Sequence, residues 1–359
     1  MKRILVVIDY SESFGGGFTY ALNMIKFMND LSNRKLDIEF LFAPTSNETE
    51  SILSENHILG LIDDLLIYRS SGLRYTFLRN CMKIGEKFRG KKNLINTVKK
   101  YSIDTIYFLT PSDIAKECQN VPFIFTLWDL CHRDWPNQFS EINSKTFFER
   151  EKLYNEVLRK AVLIVVDSDD LVKKTVDYYK VDIEKIFKIP FLMPSAENIK
   201  VNDGVIEKYN LKSPFIFYPA QFWEHKNHKY IIEALSILKR KQGVQINAVF
   251  CGRDFGSLKS LEKLAEEKEI KEQIKFLGFI PKEDVWGLYK YALALVMPTY
   301  FGPTNIPPLE ALSIGCPVIY SDFPSFRKEF EGMTQFVNLE NPEELAQYVQ
   351  SVAYYADVA

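Results

Sequence analysis

Residues Tyr300–Ile319 read YFGPTNIPPLEALSIGCPVI, and this stretch divides into a loop, a short helix, a turn and the start of a strand. Pro307 and Pro308 suit the first turn of a helix, where a missing N–H costs nothing. Gly315 is typical of a helix end, and an apolar run opens the next strand directly after it. The stretch therefore predicts a helix-to-strand step of an α/β fold.

The loop before this helix presents backbone N–H groups at a helix N-terminus, which is a favourable place for a diphosphate. Thr304 or Asn305 is the predicted N-cap, and Ile306 follows at the helix start. Glu310 lies on the same helix, where a carboxylate can accept hydrogen bonds from ribose hydroxyls. The alternative interpretation is a capped helix whose glutamate is only solvated.

Short apolar runs alternate with amphipathic segments along the whole chain, which predicts an α/β fold of two doubly wound, Rossmann-like domains. We place the domains at residues 1–194 and 214–359, joined by a linker over 195–213. Two such domains facing each other predict a ligand cleft at the carboxyl ends of the strands. The predicted strands are Ile4–Asp9, Ile38–Ala43, Thr105–Leu109, Phe123–Leu127, Leu163–Asp167, Phe215–Pro219, Asn247–Cys251, Lys275–Leu277, Leu295–Pro298, Pro317–Tyr320 and Gln335–Val337.

The composition narrows the class of protein. A net charge of −2 gives no reason to expect a nucleic-acid partner. The five cysteines are widely spaced and form no CxxC pair, so we expect neither a disulfide framework nor a zinc site. The apolar run Ile4–Ile8 is too short for a signal peptide, and no stretch approaches the roughly 18–20 residues of a membrane span. We therefore expect a cytoplasmic protein.

Residues 68–101 form a strongly basic segment. They contain ten Lys or Arg against one acid, Glu86, a local charge of 10 − 1 = +9. Leucine and aromatic side chains are interleaved with these charges, which indicates a basic amphipathic surface. We expect it to dock on an anionic membrane, on the inner face of the plasma membrane. The alternative is a solvated charged face.

A second constellation follows the first strand of the second domain. Residues Phe217–His228 read FYPAQFWEHKNH and lead into a helix. Lys226 could pair with a phosphate there, and Gln221 could donate a hydrogen bond to one. The alternative is an ordinary polar loop.

Two features of the first domain also suit a ligand site. Gly15, Gly16 and Gly17 open a helix after the first strand and would let the backbone approach a ligand, although they match neither GxGxxG nor a P-loop. Residues Trp128–Pro136 read WDLCHRDWP and follow a predicted strand, so polar groups stand beside two tryptophans, as in many sugar sites. The alternatives are a flexible turn and a loop with a buried ion pair.

Asp167 and Asp169 have the DxD spacing of some metal sites. They lie where a strand turns into a helix, and N-capping by Ser168 or Asp169 explains the pattern better. We therefore expect no metal at this position.

The order and spacing of these segments resemble those of the retaining glycosyltransferases of family four, which have two facing Rossmann-like domains in the GT-B arrangement. The resemblance covers nearly the whole chain. It extends to Val165–Ser168 (VVDS), Val249–Gly252 (VFCG) and Phe276–Pro281 (FLGFIP). It implies a nucleotide-diphosphate sugar as co-substrate, with no further cofactor.

The resemblance also implies roles for individual residues. Lys226 matches the lysine that binds the diphosphate. Glu310 matches the second of two glutamates eight positions apart, which holds the donor ribose. Phe279 and Ile280 match the segment that contacts the base, and the glycine loop, with Gly16 and Gly17, matches the one near the donor phosphate.

Three positions depart from the commonest family pattern. Gln221 stands where an arginine is usual, Gly302 where the first glutamate is usual, and Trp128 where a histidine precedes the aspartate. We interpret these departures as a variant sub-pattern similar to that of polysaccharide-building members. The family usually ends with a helix that crosses back to the first domain, and Ala359 comes early for it, so we expect a fragment or a short form.

The function that the sequence predicts is retaining, metal-independent transfer of a sugar to a polysaccharide or glycolipid acceptor, in bacterial surface polysaccharide synthesis. Lys226 and the helix N-terminus would stabilise the departing diphosphate. The acceptor hydroxyl would attack near Gly16, Asp129 and His132, and the last two are predicted to be catalytic with Lys226. The alternatives are a sugar-nucleotide epimerase, which needs no acceptor, and a non-catalytic sugar-binding subunit.

Overall fold

The computed structural model describes residues 1–9, 16–32, 34, 37–65, 94–118, 120–190, 199–302 and 306–358, and its strands form two six-stranded sheets. The strand order is β2-β1-β3-β4-β5-β6 in the first sheet and β12-β11-β10-β7-β8-β9 in the second. All pairs of neighbouring strands are parallel. The predicted α/β fold with two Rossmann-like sheets is confirmed.

The first sheet and its helices come from the first half of the chain. Its strands are β1 Lys2–Ile8, β2 Ile38–Pro44, β3 Thr105–Phe108, β4 Phe123–Thr126, β5 Leu163–Val166 and β6 Ile186–Lys188. Its helices are α1 Gly16–Ser32, α2 Asn47–Glu55, α3 with helical residues 94–101, α4 Cys131–Asp134, α5 Ser144–Val157 and α6 Asp169–Tyr179.

The second half repeats the alternation. Its strands are β7 Phe215–Pro219, β8 Asn247–Cys251, β9 Ile274–Phe276, β10 Leu295–Met297, β11 Val318–Ser321 and β12 Gln335–Val337. Its helices are α7 Val205–Lys208, α8 His228–Ile237, α9 Leu258–Glu267, α10 Lys282–Tyr291, α11 Ile306–Ser313, α12 Pro324–Phe330 and α13 Pro342–Val358.

The chain divides into two compact units whose boundaries differ from the predicted domains. Unit 1 comprises Met1–Pro136 and Ser144–Phe191, and unit 2 comprises Asn137–Asn143 and Leu192–Ala359. The predicted linker over 195–213 contains α7, and Val205 on that helix is fully buried in the core of unit 2. A short piece of the first half of the chain, Asn137–Asn143, is thus built into unit 2.

Each unit has its own hydrophobic core, built from strands that are apolar on both faces. The last four residues of β1 are buried, and so are the first four of β7. Burial on both faces is what parallel strands covered by helices require, and it explains why continuous apolar runs predicted them. Within the described residues, no helix has both the length and the apolar character needed to cross a membrane.

Strand β6 was missed by the sequence analysis. It has only three residues, Ile186–Lys188, at the edge of the first sheet, and two of them are exposed. A short edge strand of this kind carries neither a continuous apolar run nor an alternating pattern. Its pairing with β5 could be recognised only in the folded sheet.

Candidate functional site

Unit 2 brings Lys226 and Gly302 together. Lys226 ends the 3-10 turn Glu224–Lys226 after β7, and the Tyr218 hydroxyl donates to the Lys226 carbonyl oxygen at 3.1 Å. A Cβ atom added to Gly302 would lie 3.2 Å from Lys226 Nζ. The amino group therefore lies against the loop that leads into α11.

The loops that contain Lys226 and Gly302 are joined through their backbones. The carbonyl oxygen of His225 accepts a hydrogen bond from the Tyr300 N–H at 3.0 Å and another from the Thr299 hydroxyl at 3.4 Å. Asn227, the residue after Lys226, has a φ of 57°, a left-handed conformation that asparagine tolerates. These contacts set the direction in which the chain enters α8.

Helix α11 begins at Ile306, as the two prolines after it predict, and the chain turns at Gly315 with a φ of 78°. Ile306 is buried. Thr304 and Asn305, the predicted N-cap and donor-binding residues, lie outside the described residues, so their roles stay predictions.

Glu310 lies on α11 with only 8% of its surface exposed. The Tyr289 hydroxyl donates to Glu310 Oε2 at 3.2 Å, and Lys282 Nζ lies 3.9 Å from Oε1. Burial raises the pKa of Glu310, and Lys282 and Tyr289 offset only part of that rise. The carboxyl is therefore held in one place by neighbours on α10, which is what an acceptor for sugar hydroxyls needs.

Gln221 has a local partner in the same loop. Its side-chain oxygen accepts a hydrogen bond from Trp223 Nε1 at 2.9 Å. The Trp223 ring in turn stacks on Phe255, with centroids 4.1 Å apart and planes 13° apart. Where the commonest family pattern has an arginine, this chain therefore has an amide joined to an aromatic pair.

The ends of β8 and β9 meet at Gly252. Its N–H donates to the Gly278 carbonyl oxygen at 2.8 Å, and a Cβ there would lie 2.4 Å from the Ala220 carbonyl oxygen. Only glycine permits this approach. The predicted base-contacting pair beyond β9 is split, because Phe279 is 56% exposed while Ile280 is buried in the core. Phe279 alone offers a ring, and the Arg253 guanidinium lies 5.3 Å from its centroid.

In unit 1, helix α1 begins at Gly16, and Gly17 is buried. Gly15 lies outside the described residues. The same holds for residues 68–93 of the basic segment. The roles of the glycine loop and of the membrane-docking surface therefore stay predictions.

Asp129 is held by an arginine from α5. Arg150 donates two hydrogen bonds to it, from Nη1 to Oδ1 at 2.7 Å and from Nη2 to Oδ2 at 2.9 Å. The Cys131 N–H also donates to Oδ1, at 3.0 Å. Burial raises the pKa of Asp129, but the Arg150 guanidinium outweighs this and holds the pKa well below its ordinary value. Asp129 is therefore an ionised, bidentately paired carboxylate.

His132 lies in a second, neighbouring network and has no exposed surface. Its Nε2 lies 2.8 Å from Glu151 Oε1, and the Tyr179 hydroxyl donates to the same oxygen at 2.6 Å. Arg133 Nε donates to it at 2.8 Å. Burial lowers the pKa of His132, with a further contribution from Arg150, so the imidazole favours its neutral form.

These contacts favour the alternative interpretation of Trp128–Pro136, a loop with buried ion pairs. The side chains of Asp129 and His132 are directed into the protein and fix the loop to α5. Their predicted catalytic roles stay predictions, and the contacts show in addition that both side chains hold this loop.

The Asp167–Asp169 segment is a helix start, as predicted. Ser168 has an extended backbone, and its hydroxyl accepts from the Leu171 N–H at 3.4 Å. Asp169 pairs with Lys188 at 2.6 Å. Among the described residues, no group of three or more His, Cys, Asp or Glu side chains could hold a metal ion. Metal independence itself stays a prediction.

Sequence reasoning missed several groups around the site. Tyr289 and Lys282, which contact Glu310, come from another helix, and no motif links them to it. His225 directly precedes Lys226, but no motif in the sequence marks it as a site residue. Its partner Glu141 is 84 positions away in sequence, so only the fold could reveal it.

Comparison with known proteins finds one family similar to the second half of the chain. Residues 203–353 match the family described as "Glycosyl transferases group 1". The family resemblance inferred from the sequence is thereby confirmed.

Two curated relatives are O-antigen enzymes. The chain is 27% identical over 188 residues to the O-antigen chain mannosyltransferase RfbU of Salmonella typhimurium, covering 52% of this chain and 49% of that protein. It is 26% identical over 172 residues to the O-antigen chain mannosyltransferase B of Escherichia coli, covering 45% of each. The matches span about half the length of these relatives.

Solved structures extend the likeness over nearly the whole chain. Anabaena HepE, solved in complex with UDP-glucose, has a TM-score of 0.71 at 16% identity, over 99% of this chain and 91% of that one. WaaG, described as a glycosyltransferase involved in lipopolysaccharide biosynthesis, has a TM-score of 0.68 at 14% identity, over 99% and 95%. This likeness establishes the GT-B fold.

Proposed function

We propose that this protein is a retaining glycosyltransferase that moves a sugar from a nucleotide-diphosphate sugar to a polysaccharide or lipid-linked glycan acceptor. The observation that supports this best is the placement of Lys226 Nζ against Gly302, in the loop that leads into α11, with Glu310 on that helix. A cation and a helix N-terminus at one point suit a diphosphate.

The chemistry follows from this placement. As the bond between the sugar and the diphosphate breaks, negative charge grows on the diphosphate oxygens. Lys226 and the N–H groups that remain at the start of α11, where Pro307 and Pro308 provide none, stabilise this charge without having to reorganise. In this proposal the fixed cation and the helix dipole take the place of a metal ion. Glu310 accepts hydrogen bonds from the donor ribose, whose hydroxyls do not change during transfer.

The proposed pathway is bacterial surface polysaccharide synthesis, because the curated relatives are named O-antigen chain mannosyltransferases. The donor is a nucleoside-diphosphate hexose, since the similar structure of HepE contains UDP-glucose. Unit 1 is assigned the acceptor side and a peripheral position on the cytoplasmic face of the membrane, through the basic segment 68–101.

Steady-state kinetics of two variants test the donor-site assignment. Lys226→Ala removes charge stabilisation that is strongest in the transition state, so kcat should fall about 100- to 1000-fold. Glu310→Gln should mainly raise the KM for the donor, with a smaller change in kcat. Donors are first selected from a nucleotide-sugar panel by thermal stabilisation, which reaches about 2.7 kcal/mol at 100 times the dissociation constant.

Lys241→Ala is the control for these variants, because Lys241 pairs with Glu343 on the surface of unit 2. It should keep parental kinetics. Folded Lys226→Ala and Glu310→Gln variants that also keep parental kinetics would refute the donor site. Donor interconversion without acceptor would instead indicate the epimerase, and donor binding without turnover would indicate the sugar-binding subunit.

A further inference from the structure

The segment Asn137–Asn143 is part of unit 2, although the residues on both sides of it belong to unit 1. It follows the loop after α4 and ends where α5 begins. Its side chains therefore contribute to a unit formed otherwise by residues far later in the chain. Its contacts there concentrate on the two loops that meet at Lys226.

Polar contacts hold the two residues that precede Lys226. The carboxylate of Glu141 accepts hydrogen bonds from His225 Nδ1 and, at 3.2 Å, from the His225 backbone N–H. The Ser140 N–H donates to Glu224 Oε2 at 2.9 Å. The first two residues of the 3-10 turn, Glu224 and His225, are thus both held by this segment.

An aromatic cluster holds the loop that contains Tyr300, Phe301 and Gly302. The Phe139 ring lies 5.1 Å from Tyr300 and 5.6 Å from Phe301, between centroids. The His225 ring stacks on Phe301, with centroids 4.0 Å apart and planes 11° apart. Phe301 directly precedes Gly302, so the same cluster fixes the backbone against which Lys226 Nζ lies.

The central pair is well shielded from water. The side chains of Glu141 and His225 are 12% and 9% exposed. Burial raises the pKa of Glu141, but the hydrogen bonds from His225 outweigh this and the pKa is lowered. The carboxylate is therefore ionised at neutral pH, and hydrogen bonds to an ionised, buried acceptor are stronger than neutral ones.

We propose that Glu141 and Phe139 are positioning residues of the donor site, which hold Lys226 and the backbone of Gly302 in register for the diphosphate. This inference rests on the proposed function. Neither residue needs to touch the donor. Glu141 acts through His225 on the Lys226 turn, and Phe139 acts on Tyr300 and Phe301. Losing either contact should therefore weaken binding of the diphosphate and leave contacts to the nucleoside unaffected.

Calorimetric titration of the full chain separates these two effects. The probes are UDP and GDP, compared with uridine and guanosine. Glu141→Ala should weaken binding of the preferred diphosphate about 10- to 100-fold, in line with the rate loss that a misplacement of about 1 Å causes in enzymes. Glu141→Gln keeps an oxygen for both His225 donors and should lose less. Nucleoside affinity should be parental in both.

Two comparisons make the test specific. If Glu141 acts through Lys226, adding Glu141→Ala to Lys226→Ala should weaken diphosphate binding no further, because coupled residues are not additive. Glu343→Ala removes a surface carboxylate of unit 2, paired with Lys241, and should keep parental affinity. Fully additive losses for Glu141 and Lys226 would overturn the inference.

Phe139→Leu keeps the test valid if Glu141→Ala does not fold. It should also weaken diphosphate binding and spare nucleoside binding. Parental diphosphate affinity in a folded Glu141→Ala variant, or in Phe139→Leu where the former fails to fold, overturns the inference alone. A parent protein that binds neither UDP nor GDP overturns the proposed function, and the inference with it.

Discussion

Gly252 and Gly302 each bring the backbone against a neighbouring group, and the two neighbours differ in kind. At Gly252 a side chain would meet the fixed carbonyl oxygen of Ala220, and the φ of 152° is itself unfavourable for other residues. At Gly302 it would meet the flexible end of Lys226. Gly252 is therefore needed for the chain after β8 to approach the chain after β7. Gly302 instead leaves room for the amino group of Lys226.

The two hydrogen bonds from Arg150 to Asp129 indicate that this carboxylate stabilises the fold of unit 1. We predict that Asp129→Asn lowers the free energy of unfolding of unit 1 by about 3 kcal/mol, because it leaves a largely buried guanidinium without its counter-charge. Urea denaturation followed by tryptophan fluorescence measures this. Asp113→Asn is the control, since Asp113 is 77% exposed and pairs with Lys116 on the surface. Its effect should stay below about 1 kcal/mol. Equal effects of the two changes would contradict the structural role.

At the scale of elements, α4, α5 and α6 are tied together by one carboxylate. Glu151 on α5 accepts hydrogen bonds from Arg133 on α4 and from Tyr179 at the end of α6. Burial raises the pKa of Glu151, but these donors and His132 lower it from 4.5 to about 2. The three helices therefore depend on an ionised Glu151 for their mutual packing.

This dependence predicts how the stability of unit 1 varies with pH. A carboxyl whose pKa is lower in the folded state adds stability above its ordinary pKa of 4.5, and that stability is lost as the pH falls towards 2. The pKa of His132 is also lower in the folded state, so its contribution to the stability of unit 1 likewise decreases as the pH falls below about 6.5. Glu151→Gln should therefore flatten the loss of stability between pH 4.5 and 2.

Urea midpoints measured across this pH range provide the test. Glu149→Gln is a matched control on the same helix, because Glu149 is exposed and lies 3.9 Å from Lys145 Nζ, at the long end for an ion pair. It should leave the pH dependence unchanged. A parental pH profile for Glu151→Gln would show that the network is not the source of the acid sensitivity.

Helix starts and strand edges differ in how far the sequence predicts them. Ser168 caps α6 through a hydrogen bond to a residue three positions on, so its role is readable in the local sequence. Strand β6 depends on its pairing with β5 and has no local signal. Of the twelve strands in the described part of the chain, eleven were located, most of them because continuous apolar runs mark buried parallel strands.

At the scale of the whole molecule, the basic segment 68–101 predicts binding to anionic vesicles. Each basic residue near such a surface contributes about 1 kcal/mol, so the protein should sediment with phosphatidylserine vesicles at low salt and be released at high salt. Reversing Lys91 and Lys92 to Glu should weaken sedimentation. Reversing Lys259 and Lys263 on α9, both exposed, is the control and should have little effect. Failure to sediment at either salt concentration contradicts the membrane proposal.

The sequence by itself determined the class of fold and the resemblance to a glycosyltransferase family, and it predicted the roles of Lys226 and Glu310. Apolar runs, helix caps and glycine or proline positions act over a few residues, and the order of motifs is a one-dimensional property. These features can therefore be read from the sequence without knowing which segments pack together.

Only the tertiary structure decided which side chains are partners. Glu141 and His225 are 84 positions apart in the sequence, and Asp129 and Arg150 are 21 apart, so no local pattern predicts either pair. These partners then show what each group holds, because a buried charged side chain must be paired and so fixes the elements that it joins. For this reason Asp129 and His132 belong to ion-pair networks, and a segment from the first half of the chain supports Lys226 in the second.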